Sequence, residues 1–189
     1  YWATHARTAG LRATALLHAQ VDDHLILRDA GVWGHYVGDS SQPLHITVHF
    51  NGWGKYPNPA GYSNSPHMHD LFETDFVERS VTQAGVSKHL APLNVAATAT
   101  LVSNQQVLAA IERYLKGSNA TVEPLYKIEK AGGFVHATPQ SLAFAEGRLA
   151  YGAGELRDLI VWAWQDSLNE TIGDDNPQKV RDIVSGKAR

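Results

Sequence analysis

The segment HYVGDSSQPLH, residues 35–45, carries His35, Asp39 and His45, and the segment HDLFE, residues 69–73, carries His69 and Glu73. Side chains four apart on a helix lie on one face with Cβ atoms about 5–6 Å apart. His35 with Asp39 and His69 with Glu73 both have that spacing. A neutral imidazole and a carboxylate so placed can share one cation. Pro43 and Gln42 predict a tight turn that brings His45 back toward the first pair, and Gly38 permits close approach. Two ligand pairs on two helices with a ligand between them make a nitrogen and oxygen site suited to Zn²⁺. The competing reading is ordinary: the chain has 10 histidines, and such pairs also arise as surface ion pairs.

The elements that must hold these residues read as helical. One helix is expected over 3–29 and another over 30–40, divided at Gly31 or Gly34. Residues 46–66 are rich in Gly, Asn, Pro and Ser. They predict a long irregular loop that opens with an extended run from Ile46 to Phe50, with or without a small hairpin. Phe50, Trp53, Tyr56 and Tyr62 lie within this loop and could line a substrate cleft; loop packing is the equally weighted alternative. Helix returns from Pro66 to Val81, with Leu71, Phe72, Phe76 and Val77 facing the core. A linker with Pro92 and Asn94 follows. Residues 103–118 predict a helix capped by Ser103 or Asn104 and stopped at Gly117. Residues 122–134 read as a connector. One long or broken helix is expected over 138–172, with Thr138 as cap and Pro139 in the first turn. Leu156, Leu159, Ile160, Ala163 and Trp164 would form its apolar stripe. The expectation is an all-α chain of one domain, 1–189, with a long irregular loop.

Composition narrows the functions. Apolar residues make up 43% of the 189 positions, which suffices for a real core. The net charge of −3 comes from mixed acids and bases without a basic stripe, which argues against nucleic-acid binding by charge alone. There is no cysteine, so disulfides and thiolate metal sites are excluded and a transition metal must rest on His, Asp and Glu. No apolar run reaches the roughly 18–20 residues of a bilayer span.

The pattern His-x-x-Gly-Asp-x-x-Gln-Pro-x-His over 35–45, followed by His-x-x-x-Glu over 69–73, resembles the zinc-dependent phospholipase C and S1/P1 nuclease superfamily. The resemblance spans residues 35–73. It implies a phospholipase C/P1 nuclease-like helical domain with up to three zinc ions in a cleft. It also implies a secreted or periplasmic location and hydrolysis of a phosphodiester by a metal-activated water. By that resemblance His45, His69 and Glu73 complete one zinc site. His35 and Asp39 hold a second, with Asp39 also bridging to a third and helping to hold the attacking water. Phe50, Trp53, Tyr56 and Tyr62 would wall the substrate site. Family ligands expected upstream have weak counterparts in Trp2, His5 and the run Asp22, Asp23, His24. The chain begins at Tyr1 with only 34 residues before His35, so a missing N-terminal segment or a second chain is expected to supply those ligands.

The substrate stays divided between single-stranded nucleic acid and a phospholipid headgroup. Glu73 in place of Asp, and the absence of a histidine before Gln42, favour the phospholipase C pattern; the loop aromatics suit a nuclease. The alternative of another class is a non-catalytic binding or structural module that retains part of a zinc site. His67 is the rival of His69, but its spacing to Glu73 is off-face; His49 is read as a partner of the site or a partly exposed polar residue, and His89 and His136 as ordinary surface residues.

Overall fold

The computed structural model describes residues 16–93, 103–172 and 177–187, without the side chains of 16–23 and 104. It is mostly helical, with one small two-stranded antiparallel ladder. Two compact units are present, one formed by 1–36, 94–104 and 156–189 and the other by 37–93 and 105–155. Among the described residues no helix is long and apolar enough to cross a membrane.

The first unit contains most of α1 (Leu16–Asp39), the ladder of β1 (Thr171–Ile172) and β2 (Gln178–Lys179), and a short helix Val180–Val184. α1 is continuous, which corrects the expected division near residue 30; the part of that expectation before Leu16 lies outside the described residues. A helical glycine costs only about 1 kcal/mol, and neither Gly31 nor Gly34 is followed by a residue that removes a backbone donor. Leu156 approaches Gly34 to 3.5 Å of a Cβ position there, in ordinary contact. Leu159 and Val180 are buried, whereas Ile160 and Trp164 are substantially exposed, so the expected stripe is only partly covered. The described residues are mostly helical, as expected; the short ladder, pairing Thr171 with Lys179 and Ile172 with Gln178, adds the small sheet that the sequence reading did not include.

The second unit holds the core. Its elements are α2, which runs from 68 to 80, α3 (Gln83–His89), α4 (Asn104–Asn119, from Gln105 onward), α5 (Val122–Lys130) and most of α6 (Pro139–Asp166). Leu44, Met68, Phe72, Phe76, Leu125, Tyr126, Ile128 and Phe134 form one buried cluster. Phe134 lies 4.9 Å from the Phe72 ring and 5.1 Å from the Phe76 ring, and Arg79 donates to the Phe134 carbonyl at 2.7 Å. Leu71 is half-buried against this cluster, and Val77 is half-buried.

α5 stands where a connector was expected. Pro124 falls in its first turn, where backbone N–H groups have no helical acceptor, so the ring removes nothing the helix needs. Val122, Leu125, Tyr126 and Ile128 then bury one face. α4 likewise passes through Gly117 instead of stopping there. A Cβ at Gly117 would lie 2.6 Å from the Tyr151 hydroxyl, so this glycine allows close packing of α4 on α6. α6 begins as the sequence predicts: Thr138 Oγ1 accepts from Ser141 N at 3.1 Å, and Pro139 takes the first helical position. α3 was not foreseen. Thr82 caps it by accepting from Gly85 N at 3.1 Å, and the Glu146 carboxylate lies against Gly85 and 3.4 Å from His89.

The loop after Pro43 is not extended. Pro43–Ile46 form one 3₁₀ turn, capped by Gln42 Oε1, which accepts from Leu44 N at 2.6 Å. Turns and irregular backbone follow to Pro66; the long irregular loop stands as expected, without the extended run at Ile46–Phe50 and in its form without a hairpin. Side chains take over the backbone groups that a hairpin would pair. Asn58 bonds both N and O of Tyr62 at 2.7 and 2.8 Å, and Asn64 Oδ1 accepts from Gly54 N at 2.8 Å. Gly52 has φ +90°, and a Cβ there would meet the Asn64 backbone at 2.7 Å; only glycine fits.

Candidate metal centre

Three side chains from two elements converge. His45 Nε2 lies 2.9 Å from His69 Nε2 and 3.1 Å from Glu73 Oε2, and His69 Nε2 lies 2.7 Å from the same oxygen. His45 stands on the 3₁₀ turn, and His69 and Glu73 stand on α2. Each donor follows directly on a buried apolar residue: Leu44 at 0% exposure, Met68 at 0% and Phe72 at 3%. Burying the first residue of each pair anchors the backbone from which the next side chain reaches outward. This explains how three polar groups converge on the core's surface without entering it.

α2 changes winding at this point. It starts as an α-turn over Met68–Asp70, widens to a π-turn over Leu71–Phe76 and closes as α over Val77–Ser80. Short π segments have poorer hydrogen-bond geometry and concentrate at functional sites. Here the π-turn sends Phe72 and Phe76 into the core and carries Glu73. The helix starts at Met68, two residues later than Pro66 suggested.

The corner between α1 and His45 is fixed from below. Ser41 is buried, and its hydroxyl donates to the Gly38 carbonyl at 2.7 Å. Arg148 of α6 donates to the Ser41 carbonyl and to the Ser118 hydroxyl, each at 3.0 Å, and its guanidinium lies 4.4 Å from the Tyr151 ring. Tyr114 donates to the Val37 carbonyl at 2.8 Å. A Cβ at Gly152 would stand 2.8 Å from Ser41 Oγ and 2.9 Å from its Cβ. Gly152→Val therefore overpacks this corner: unfolding experiments should show a loss of about 1–3 kcal/mol, and zinc affinity should fall with it because His45 is carried out of register.

Gln42 serves both elements. Its Oε1 caps the 3₁₀ turn, while its Nε2 donates to Glu73 Oε2 at 3.0 Å. Partial burial works to raise the Glu73 pKa. Hydrogen bonds from Gln42 and His69 and the positive charge that His45 and His69 can carry outweigh it, and hold the carboxyl below the usual glutamate value. Glu73 is thus kept as a carboxylate, the form that binds a cation.

The donor set fits zinc. Bonds of about 2.0–2.2 Å at tetrahedral angles put ligand atoms about 3.3 Å apart. The observed edges of 2.7, 2.9 and 3.1 Å need only a small expansion to admit an ion. Side-chain exposures of 25%, 25% and 44% for His45, His69 and Glu73 leave the group accessible to solvent.

The other candidates are placed differently. Among the described residues the group that could hold a metal ion is His45, His69 and Glu73. His35 is exposed on α1 in the first unit, with its ring centroid 5.5 Å from that of Tyr36 in an edge-on arrangement. The Asp39 carboxylate stands 3.5 Å from His45 Nδ1, on the other side of that ring. Trp2 and His5, and the side chains of Asp22 and Asp23, lie outside the described residues; His24 is exposed on α1. His67 precedes α2 and is exposed, whereas His69 makes the contact to Glu73.

The four loop aromatics divide. Tyr62 is buried at 6% exposure, and Trp53 packs on the core cluster with its indole N–H donating to the Pro57 carbonyl at 2.9 Å. Phe50 and Tyr56 are each 52% exposed. His49 stacks on Trp53 at 4.0 Å with planes 7° apart, and its Nδ1 lies 2.9 Å from the Trp53 carbonyl. These two rings, with Asn119 and Lys127, line an open groove of about 690 Å³. Burial pushes the Tyr126 hydroxyl up to about 12, so it stays a neutral donor, and it bonds the His49 carbonyl. The role of His49 in this stack, and of Gln42 between the ligands, was missed from sequence; the Gln-Pro step beside His45 was the available signal for Gln42.

No protein-family model, no curated protein and no solved structure matches this chain.

Proposed function

We propose that this protein is a zinc-dependent phosphodiester hydrolase of the phospholipase C or S1/P1 nuclease type. The observation that carries the reading is the convergence of His45, His69 and Glu73 within a motif whose spacing resembles that superfamily. His45 Nε2, His69 Nε2 and a Glu73 oxygen would bind the ion, and Gln42 Nε2, which donates to Glu73 Oε2, would help orient the carboxylate. When bound, zinc supplies a water of lowered pKa and draws charge from phosphoryl oxygens. Phe50 and Tyr56, exposed in the loop that follows His45, are the aromatic surfaces available to a substrate base or headgroup. Further zinc sites at His35 and Asp39 would need ligands from another segment or a second chain. A secreted or periplasmic setting agrees with the same resemblance.

One observation favours a second reading, a binding module with a single zinc and no turnover: among the described residues, only one three-ligand group is assembled. Zinc-loaded protein incubated with single-stranded DNA and, separately, with phosphatidylcholine vesicles separates the two. Release of nucleotides or of phosphocholine, abolished by Glu73→Gln, supports the hydrolase and identifies its substrate. Zinc uptake without either product supports the module and sinks the hydrolase.

A further inference from the structure

We propose that the loop after His45 is a docking surface for a lipid bilayer, with Val48, Phe50 and Tyr56 entering the headgroup boundary. The inference stands apart from the zinc reading, because none of these side chains needs an ion.

Exposure is the first observation. Val48 is 61% exposed, and Phe50 and Tyr56 are 52% exposed. Single apolar residues are ordinary on a surface, whereas a gathered set marks an interaction site. These three gather about one ring. His49 stands between Val48 and Phe50 in the chain, and the Tyr56 ring lies edge-on to it with centroids 5.0 Å apart. Val48 and His49 also line the same open groove.

Rigidity is the second. The exposed side chains cannot retreat to the core side of the loop, because Tyr62 and Trp53 already occupy it. Trp53 N donates to the Ser63 carbonyl at 2.8 Å and its indole N–H to the Pro57 carbonyl at 2.9 Å. Asn58 clasps Tyr62, and Lys130 of α5 donates to the Ala60 carbonyl. A surface pinned in this way gives up little freedom when it docks.

Charge selects the partner. No aspartate or glutamate occurs between Asp39 and Asp70, although 19 of the chain's 189 residues are acidic. Anionic headgroups repel acids, so an acid-free loop suits them. Other exposed apolar residues stand beside charges, as Leu27 does before Arg28 and Asp29, and Ile111 before Glu112 and Arg113. A single-stranded nucleic acid would need cations along its backbone, and Lys55 is the one lysine or arginine between Arg28 and Arg79. Val48 offers a base no stacking face. A lipid boundary takes all four groups: rings settle at headgroup level, the aliphatic chain below them, and the lysine stem reaches back to the phosphates.

The test is sedimentation of the full chain with mixed phosphatidylcholine and phosphatidylglycerol vesicles, with and without zinc. Wild-type protein should pellet with the vesicles in both conditions, reversibly, as a protein with one acyl anchor does. Phe50→Ser and Tyr56→Ser should each lower partitioning by about 3–10-fold, the loss expected from half-burying a large apolar side chain. Val48→Ser, Phe50→Ser and Tyr56→Ser combined should leave the protein in the supernatant. Leu108→Ser, at a position 66% exposed on α4, is the control and should pellet like the wild type. A second readout needs no loss of binding: fluorescence of Phe50→Trp should be quenched by acyl-brominated lipid beyond the wild-type level. Wild-type protein that stays in the supernatant overturns the proposal, as does a Leu108→Ser loss equal to that of the loop variants. Binding of oligothymidylate, or a dimer, that the combined variant abolishes in protein indifferent to vesicles assigns the loop to another partner and overturns it too. Zinc uptake is measured separately, so vesicle binding by a chain that takes up no zinc sinks the hydrolase reading alone.

Discussion

His69→Ala is expected to lower zinc affinity by more than about 100-fold, equivalent to about 2.7 kcal/mol, while leaving the fold intact. The imidazole supplies one of three donor atoms, and it is the one closest to Glu73, at 2.7 Å. Two remaining ligands cannot enforce tetrahedral geometry on an ion whose other corners are open to solvent. The ring itself is half-buried, but the residue that anchors this turn of α2 is its neighbour Met68, which is fully buried. Removing the ring therefore costs binding far more than folding. Calorimetric zinc titration alongside thermal unfolding of the metal-free protein checks both halves. His67→Ala is the control: an exposed residue before the helix, it should leave affinity unchanged.

Phe134→Ala is expected to destabilise the protein by about 3–5 kcal/mol, as for other fully buried aromatic residues. Its ring is at 0% exposure and packs on both Phe72 and Phe76. Those two residues hold the core side of the π-turn that carries Glu73. Losing the ring should also loosen that turn, so zinc affinity should fall although residue 134 touches no ligand. Denaturant unfolding, read with the zinc titration, distinguishes this coupling from a purely global effect: at equal zinc the ion should add less stability to Phe134→Ala than to the wild type, because stabilisation by an ion that binds only the folded state falls as its affinity falls.

What could be read from sequence follows which signals are local. His45, His69 and Glu73 were legible because an i, i+4 pair and a Gln-Pro turn fix geometry over a few residues. The start of α6 was legible for the same reason, since Thr138 and Pro139 act within one turn. α5 was obscured by Pro124, which reads as a helix breaker unless its position in the first turn is known. Gly117 read as a stop because its true partner, the Tyr151 hydroxyl, is 34 residues away in sequence and adjacent only in the fold. The π-turn in α2 has no local sequence signal; it arises where Phe72 and Phe76 are both drawn into the core.

The fate of the loop 46–66 shows a further limit. Its length and its aromatics were evident, but the division of labour among them was not. Tyr62 and Trp53 serve packing while Phe50 and Tyr56 stay exposed, a difference set by the bonds of Asn58 and Asn64 and by the positive φ at Gly52.

X-ray absorption at the zinc edge of the loaded wild-type protein tests the metal centre most directly. The account predicts a zinc site with two imidazole nitrogens and a carboxylate oxygen at about 2.0–2.2 Å, and a spectrum that loses one imidazole in His69→Ala. A zinc-loaded spectrum without imidazole scattering, or one unchanged in His69→Ala, would contradict it.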